Sequence, residues 1–152
     1  MKKFKFRLER VLQYRLLIKE DKRKALLLKN MKLHEAENRL AMLEQAELAN
    51  RYVSGPDKVL SAQQIYLIGF FGQRLQDEIV KQRLAIIQLE KEVEEAMAEY
   101  TEAAREAKTL EIFRERKVQE YLDYVAKEEG KFLDELAVQK GNQLVGRQGE
   151  TL

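Results

Sequence analysis

Two pairs of adjacent carboxylates, Glu94-Glu95 and Glu128-Glu129, come nearest in this chain to a catalytic constellation. General acid–base work needs two carboxyls aimed at one reacting bond. Consecutive helix residues do not face each other, so both pairs read as solvated helix faces. His34 is the single histidine and there is no cysteine, which leaves no zinc ligand set; His34 reads as a solvated helix residue. The segment GNQLVGRQG has the glycines of a phosphate loop without its lysine. Lys22-Arg23-Lys24 offers charge to nucleic acid phosphates, but no aromatic-interleaved base-reading motif accompanies it. The expectation is a chain without catalysis, cofactor, metal or nucleic acid partner.

The residues that remain must be explained by the elements that carry them. The chain has 152 residues, a one-domain length. Its composition, 36% charged and 45% hydrophobic with one proline and no tryptophan, is that of long helices and coiled coils. The absence of cysteine excludes a disulfide framework and is compatible with a reducing compartment. Met1-Lys2-Lys3 resembles the start of a signal peptide, but Lys5, Arg7, Glu9 and Arg10 break the apolar run that should follow. No stretch approaches the ~18–20 apolar residues of a membrane span. A soluble, cytoplasmic protein is expected.

The proline lies in VSGPD, residues 53–57, a strong turn signal. Ser61 then opens SAQQ, a capping-box pattern with Gln64 three residues on. These signals predict helix one over about 4–52, a break at 53–60 and helix two over about 61–137. Residues 1–139 form one domain in this reading. The stretch 140–152, with Gly141, Gly146 and Gly149, is expected to be a disordered tail.

Helix two has a heptad seam: Leu75, Ile79, Gln82, Ile86, Leu89, Val93, Ala96, Tyr100, Ala103, Ala107 and Leu110. Ten of these eleven are apolar, the spacing that packs knobs into holes. The phase slips after Leu110 and resumes at Val118, Leu122, Val125, Phe132 and Leu136, as after a stutter. In helix one Leu33, Ala36, Leu40 and Leu43 keep phase, and charges interrupt the pattern before Lys32. A short break between long helices implies an all-α fold, an antiparallel coiled-coil hairpin with the second helix overhanging.

Charge supports the hairpin. Residues 1–32 carry twelve Lys/Arg and three Asp/Glu, whereas the rest carries sixteen and twenty-three. If residue 52 faces 61, residues 7–23 lie opposite 90–106, which reads EKEVEEAMAEYTEAARE. The most basic part of one helix then faces the most acidic part of the other.

Apolar surface is left over. In FKFRLERVLQYRLLIKEDKRK, read as a helix, Phe4, Leu8, Val11 and Ile18 occupy one side and Phe6 and Leu17 another. A helix that meets one partner needs a single stripe. The overhang adds Phe113, Tyr121, Tyr124 and Phe132. In QQIYLIGFFGQRL, residues 63–75, Ile65, Ile68 and Leu75 continue the seam while Tyr66 and Phe70 point away from it. Gly69 and Gly72 weaken the helix there by ~1 kcal/mol each. An aromatic pair beside small residues resembles a docking site. Helix one curling over these rings is the structural alternative.

The opening FKFRLERVLQYR resembles the F-x-F-R-L-x-x-V-L-x-x-R start of the FliJ family of the bacterial flagellar type III export apparatus. The hairpin, the length and the closing LEIFRERKVQEYLDYVAKEEGKFLDELA are similar too. The resemblance implies an antiparallel coiled coil shaped like the stalk of a rotary ATPase. It implies insertion into the hexameric export ATPase FliI, contact with the linker of the export gate protein FlhA, and escort of export chaperones. Such a protein works in the cytoplasm, peripherally at the inner membrane, and is a monomer when isolated. By position the gate contact falls on Phe71 and Leu75, with Leu43 facing them, and Phe70 joins these by its outward angle. Two further family aromatics fall near Ala46 and Asn50, which are not aromatic. The ATPase-ring contact is expected at Phe6, Arg10, Leu17 and Phe113. The competing reading is a structural coiled coil that homodimerises through the overhang, or the stalk of a virulence secretion system.

Overall fold

A computed structural model of the chain describes residues 3–53, 55 and 57–149. Two helices, α1 (Glu9–Val53) and α2 (Ala62–Gly149), account for nearly all of them. Contacts divide the chain into two compact units: Arg15–Arg105, and the residues up to Tyr14 together with those from Glu106 onward.

Within Arg15–Arg105 the two helices run antiparallel. Falling numbers on α1 meet rising numbers on α2: Asn50 with Ile68, Glu47 with Gln76, Glu44 with Arg83, Lys29 with Glu92 and Lys22 with Glu99. The seam lies where the heptad pattern puts it. Leu75, Ile79, Ile86 and Ala103 are buried, and Gln82, Leu89, Val93, Ala96 and Tyr100 are half-buried. On α1 the phase does not stop at the charges. Arg15, Lys19, Lys22, Leu26, Lys29, Leu33, Ala36, Leu40, Leu43, Glu47 and Asn50 are all buried or half-buried, at steps of four and three. Long basic side chains hold such positions by laying their methylene stems along the seam and keeping the head in water. Polar seam residues find partners: Gln82 Nε2 donates to the Ala36 carbonyl at 2.9 Å.

The start of α2 is capped as its sequence predicts. The Ser61 hydroxyl accepts from the Gln64 backbone N–H at 3.2 Å, and the Gln64 side chain accepts from the Ser61 N–H at 2.9 Å. Ser54 and Pro56, on which the turn reading rests, lie outside the described residues. Gly55 donates its N–H to the Tyr52 carbonyl, which ends α1 in a turn.

The register differs from the expected one. The expected alignment sets position 22 near 91, but Lys22 stands against Glu99, an offset of eight residues, about two helical turns. Asn50, near the end of α1, already meets Ile68, so the first turns of α2 have run on before pairing begins. Ile65 accordingly leaves the seam and is 59% exposed, and α1 does not cover Tyr66 or Phe70.

In the other unit the opening residues are not helical. The α1 helix begins at Glu9 rather than near residue 4. Before it, Phe4, Phe6 and Leu8 are half-buried while Lys3, Lys5 and Arg7 are exposed. Residues 3–6 form no regular element and residues 6–9 make a turn in which the Glu9 N–H donates to the Phe6 carbonyl at 3.2 Å. Phe4, Phe6 and Leu8, expected in the first turns of a helix, therefore lie ahead of it. Leu12 (3% exposed) and Ala107 (fully buried) form the centre of this unit. Farther along α2, Val118, Tyr121 and Val125 are half-buried, whereas Leu122, Phe132 and Leu136 of the expected resumed seam are exposed. The helix is described through Gly149, beyond the end expected near 137, and so takes in the stretch from Lys140. Glycines there lower helix propensity without forbidding the conformation.

Candidate docking surfaces

The non-helical opening is held to α2 by aromatic pairs. The Phe4 ring lies 5.6 Å from Tyr121 and the Phe6 ring 5.8 Å from Phe113, both tilted. Tilted rings at these separations are the favoured aromatic geometry. Glu9 anchors the first turn of α1 through an ion pair with Arg114 at 3.0 Å. Lys117 stands 5.6 Å from the Phe113 ring centre, a cation–π arrangement. Between these groups runs a groove of about 520 Å³ lined by Phe4, Phe6, Leu8, Phe113 and Lys117 among others. Lys5, Arg7 and Arg10 stand exposed beside it. Of the residues expected at the ATPase ring, the structure therefore brings Phe6, Arg10 and Phe113 into one unit. Leu17 is 65% exposed and belongs to the other unit.

The second surface surrounds the start of α2. Tyr66 and Phe70 stack with ring centres 6.4 Å apart and planes 14° from parallel. Both are more than half exposed, as are Ile65, Leu67 and Tyr52, and Phe71 is 50% exposed. Stacking shields these rings only partly, so the patch offers solvent an apolar area of the kind that marks docking surfaces. Leu75, one turn on from Phe71, is instead buried in the seam, and Leu43 is half-buried there. Phe70 and Phe71 thus keep half or more of their surface in solvent, while Leu75 and Leu43 belong to the seam.

Charges between the helices stay at the seam edge. Lys22 Nζ meets Glu99 at 2.8 Å and Lys29 Nζ meets Glu92 at 2.6 Å. The Lys29 hydrogen bond, with its charge, holds the Glu92 carboxyl below the usual carboxylate range. Hydrogen bonds from Gln76 and then Arg51 do the same for Glu47. Of the adjacent carboxylates, Glu94 and Glu95 are exposed, and Glu128 pairs with Lys131. Among the described residues no three His, Asp or Glu gather as a metal site requires. Nor is any helix there long and apolar enough to cross a membrane.

Sequence reasoning missed the non-helical opening and the ring partnership of Phe4 with Tyr121. The alternation of apolar and basic residues over 4–8 was a signal for the first, and nothing in the sequence marked the second. It also missed Asn50, whose amide nitrogen donates to the Ile68 carbonyl at 3.1 Å across the seam.

The seam of two antiparallel helices within Arg15–Arg105 defines an all-α coiled-coil hairpin. A family model described as the flagellar FliJ protein matches residues 4–144, and the chain belongs to the FliJ family. Members of that family are non-catalytic components of the type III protein export apparatus. No curated protein matches the chain. It is similar to a solved structure from Chlamydia trachomatis described as that of a YscO homolog. Identity is 20% over 99% of this chain and 100% of the other, with a TM-score of 0.44.

Proposed function

We propose that this chain is the stalk and coupling factor of flagellar protein export, working in the cytoplasm at the inner face of the membrane. The family match over residues 4–144 carries this reading. The non-helical opening and its groove, with Phe6, Arg10 and Phe113, contact the ring of the export ATPase FliI, and Leu17 adds to that contact from α1. The patch of Phe70 and Phe71 contacts the linker of the gate protein FlhA, supported from below by Leu43 and Leu75. Escort of unloaded export chaperones completes the role. The chain does no chemistry of its own: it binds, and its partners hydrolyse and translocate. Its aromatic patches suit this, because buried aromatic anchors dominate the energetics of most protein interfaces.

The test is co-purification. Tagged chain expressed at native level in a flagellated bacterium should retain the export ATPase. Phe6→Ala combined with Phe113→Ala should lose that partner and keep the gate protein. Retention of neither partner by the parent chain would overturn the proposal.

A further inference from the structure

Glycine is unfavourable inside a helix, and α2 carries two close together, Gly69 and Gly72. Their surroundings differ. A Cβ at Gly69 would meet nothing within 4 Å, but one at Gly72 would stand 2.9 Å from Asn50 Nδ2. The Asn50 amide is there because it donates to the Ile68 carbonyl at 3.1 Å. In an α-helix that carbonyl also accepts the N–H four residues on, which is that of Gly72. Asn50 therefore sits on the α2 backbone itself, in the space that the missing Gly72 side chain leaves.

The same contact bears on register. The alignment suggested by the short break places position 22 near 91, whereas the structure pairs Lys22 with Glu99. The two alignments differ by about one heptad, and a heptad slip returns apolar seam residues to apolar seam residues. Hydrophobic pattern alone therefore does not choose between them. Polar contacts do, and Asn50 makes the one that a glycine opposite accommodates. In the observed alignment it meets Gly72 and a carbonyl; slipped by a heptad it would stand near Ile65, with no glycine opposite. A single polar residue in a coiled-coil seam commonly fixes register in this way.

We propose that Asn50 and Gly72 form a register lock, which selects the observed alignment against the one-heptad slip. The lock also sets where Tyr66, Phe70 and Phe71 stand relative to the end of α1. The inference rests on the hairpin geometry and holds whether or not the export reading does.

Two measurements test it. The first is a melting cycle. Gly69→Ala should raise the melting temperature by about 3 °C, the gain expected from helix propensity in a chain of this size. Gly72→Ala should give no rise, because the new methyl displaces the Asn50 amide. In an Asn50→Ala background Gly72→Ala should give the rise seen at Gly69. An equal rise from Gly72→Ala in both backgrounds would overturn the lock, as would a rise in neither. The second reads the alignment directly. The chain has no cysteine, so spin labels can be placed through Lys24→Cys and Ala98→Cys, both exposed positions. The parent should show one interlabel distance. Asn50→Leu with Gly72→Ala should add a second population, since a heptad slip moves the helices by about 10 Å along each other. A single unchanged distance in that variant would refute the register claim even if the melting cycle behaved as expected.

Discussion

Ile86 and Ile87 are chemically identical neighbours, and the seam separates them: Ile86 is 8% exposed and Ile87 49%. Truncating each to alanine should therefore cost very different amounts. Buried Ile→Ala changes cost about 2–5 kcal/mol, including the cavity left behind. A two-helix seam closes over a void more easily than a globular core, so the lower end applies, about 2–3 kcal/mol. At Ile87 roughly half of the side chain stays in water before and after, which leaves about 1 kcal/mol of burial to lose. Alanine recovers part of that through its better helix propensity, so a net near ~0.5 kcal/mol is expected. At about 2–4 °C per kcal/mol for a chain of this length, Ile86→Ala should lower the melting temperature by roughly 5–10 °C and Ile87→Ala by about 2 °C or less. Circular dichroism at a helix band, with concentration varied to exclude dimer effects, gives both values. Equal shifts for the two variants would refute the seam as described.

Other consequences follow from the surfaces and the charges. Phe71→Ala should leave helicity and melting nearly unchanged, because the ring is half exposed, yet weaken binding to the gate linker by about thirtyfold, the effect of an anchor worth ~2 kcal/mol; titration calorimetry with a linker peptide would read it. Glu92 and Glu47 have lowered folded pKa values, so their contribution to stability is present above the ordinary carboxylate range and is lost as pH falls through it and below. Melting should thus weaken from about pH 5 downward, and Glu92→Gln should flatten that pH profile relative to the parent. Residues 140–147 are exposed throughout, and short isolated helix is marginal in water; amide exchange should be fastest there and slowest around Ile79 and Ile86.

Much of this architecture is readable before any coordinates, because each seam residue of α2 from Leu75 to Leu110 announces itself by type and spacing. The capping box at Ser61 is equally local, and its two hydrogen bonds form as the sequence predicts. The seam of α1 is harder to see. Lys19, Lys22, Lys29 and Glu47 hold seam positions through stems and ion pairs, and a search for apolar residues passes over them. The opening misleads for another reason. Phe4, Leu8 and Val11 fit a helical period, yet the helix starts only at Glu9, and Phe4 and Phe6 instead meet Tyr121 and Phe113, contacts that no local pattern announces. Register is degenerate by a heptad in the apolar pattern, and polar contacts across the seam, among them the Asn50 amide on the Ile68 carbonyl, distinguish the alternatives. Of the expected contact residues, Phe70 is recognisable by its outward angle and Phe71 only through the family resemblance, whereas the burial of Leu75 follows from the same seam that names it.

The proposed role makes this chain a non-catalytic partner of an export ATPase. Its most direct test is steady-state hydrolysis by the purified ATPase, with and without the purified chain, alongside sizing of the ATPase oligomer. The account predicts that the chain alone hydrolyses nothing, that its addition promotes the ring and raises turnover, and that Phe6→Ala with Phe113→Ala abolishes the rise while remaining helical. No change in ring formation or turnover on addition of a well-folded chain would contradict it.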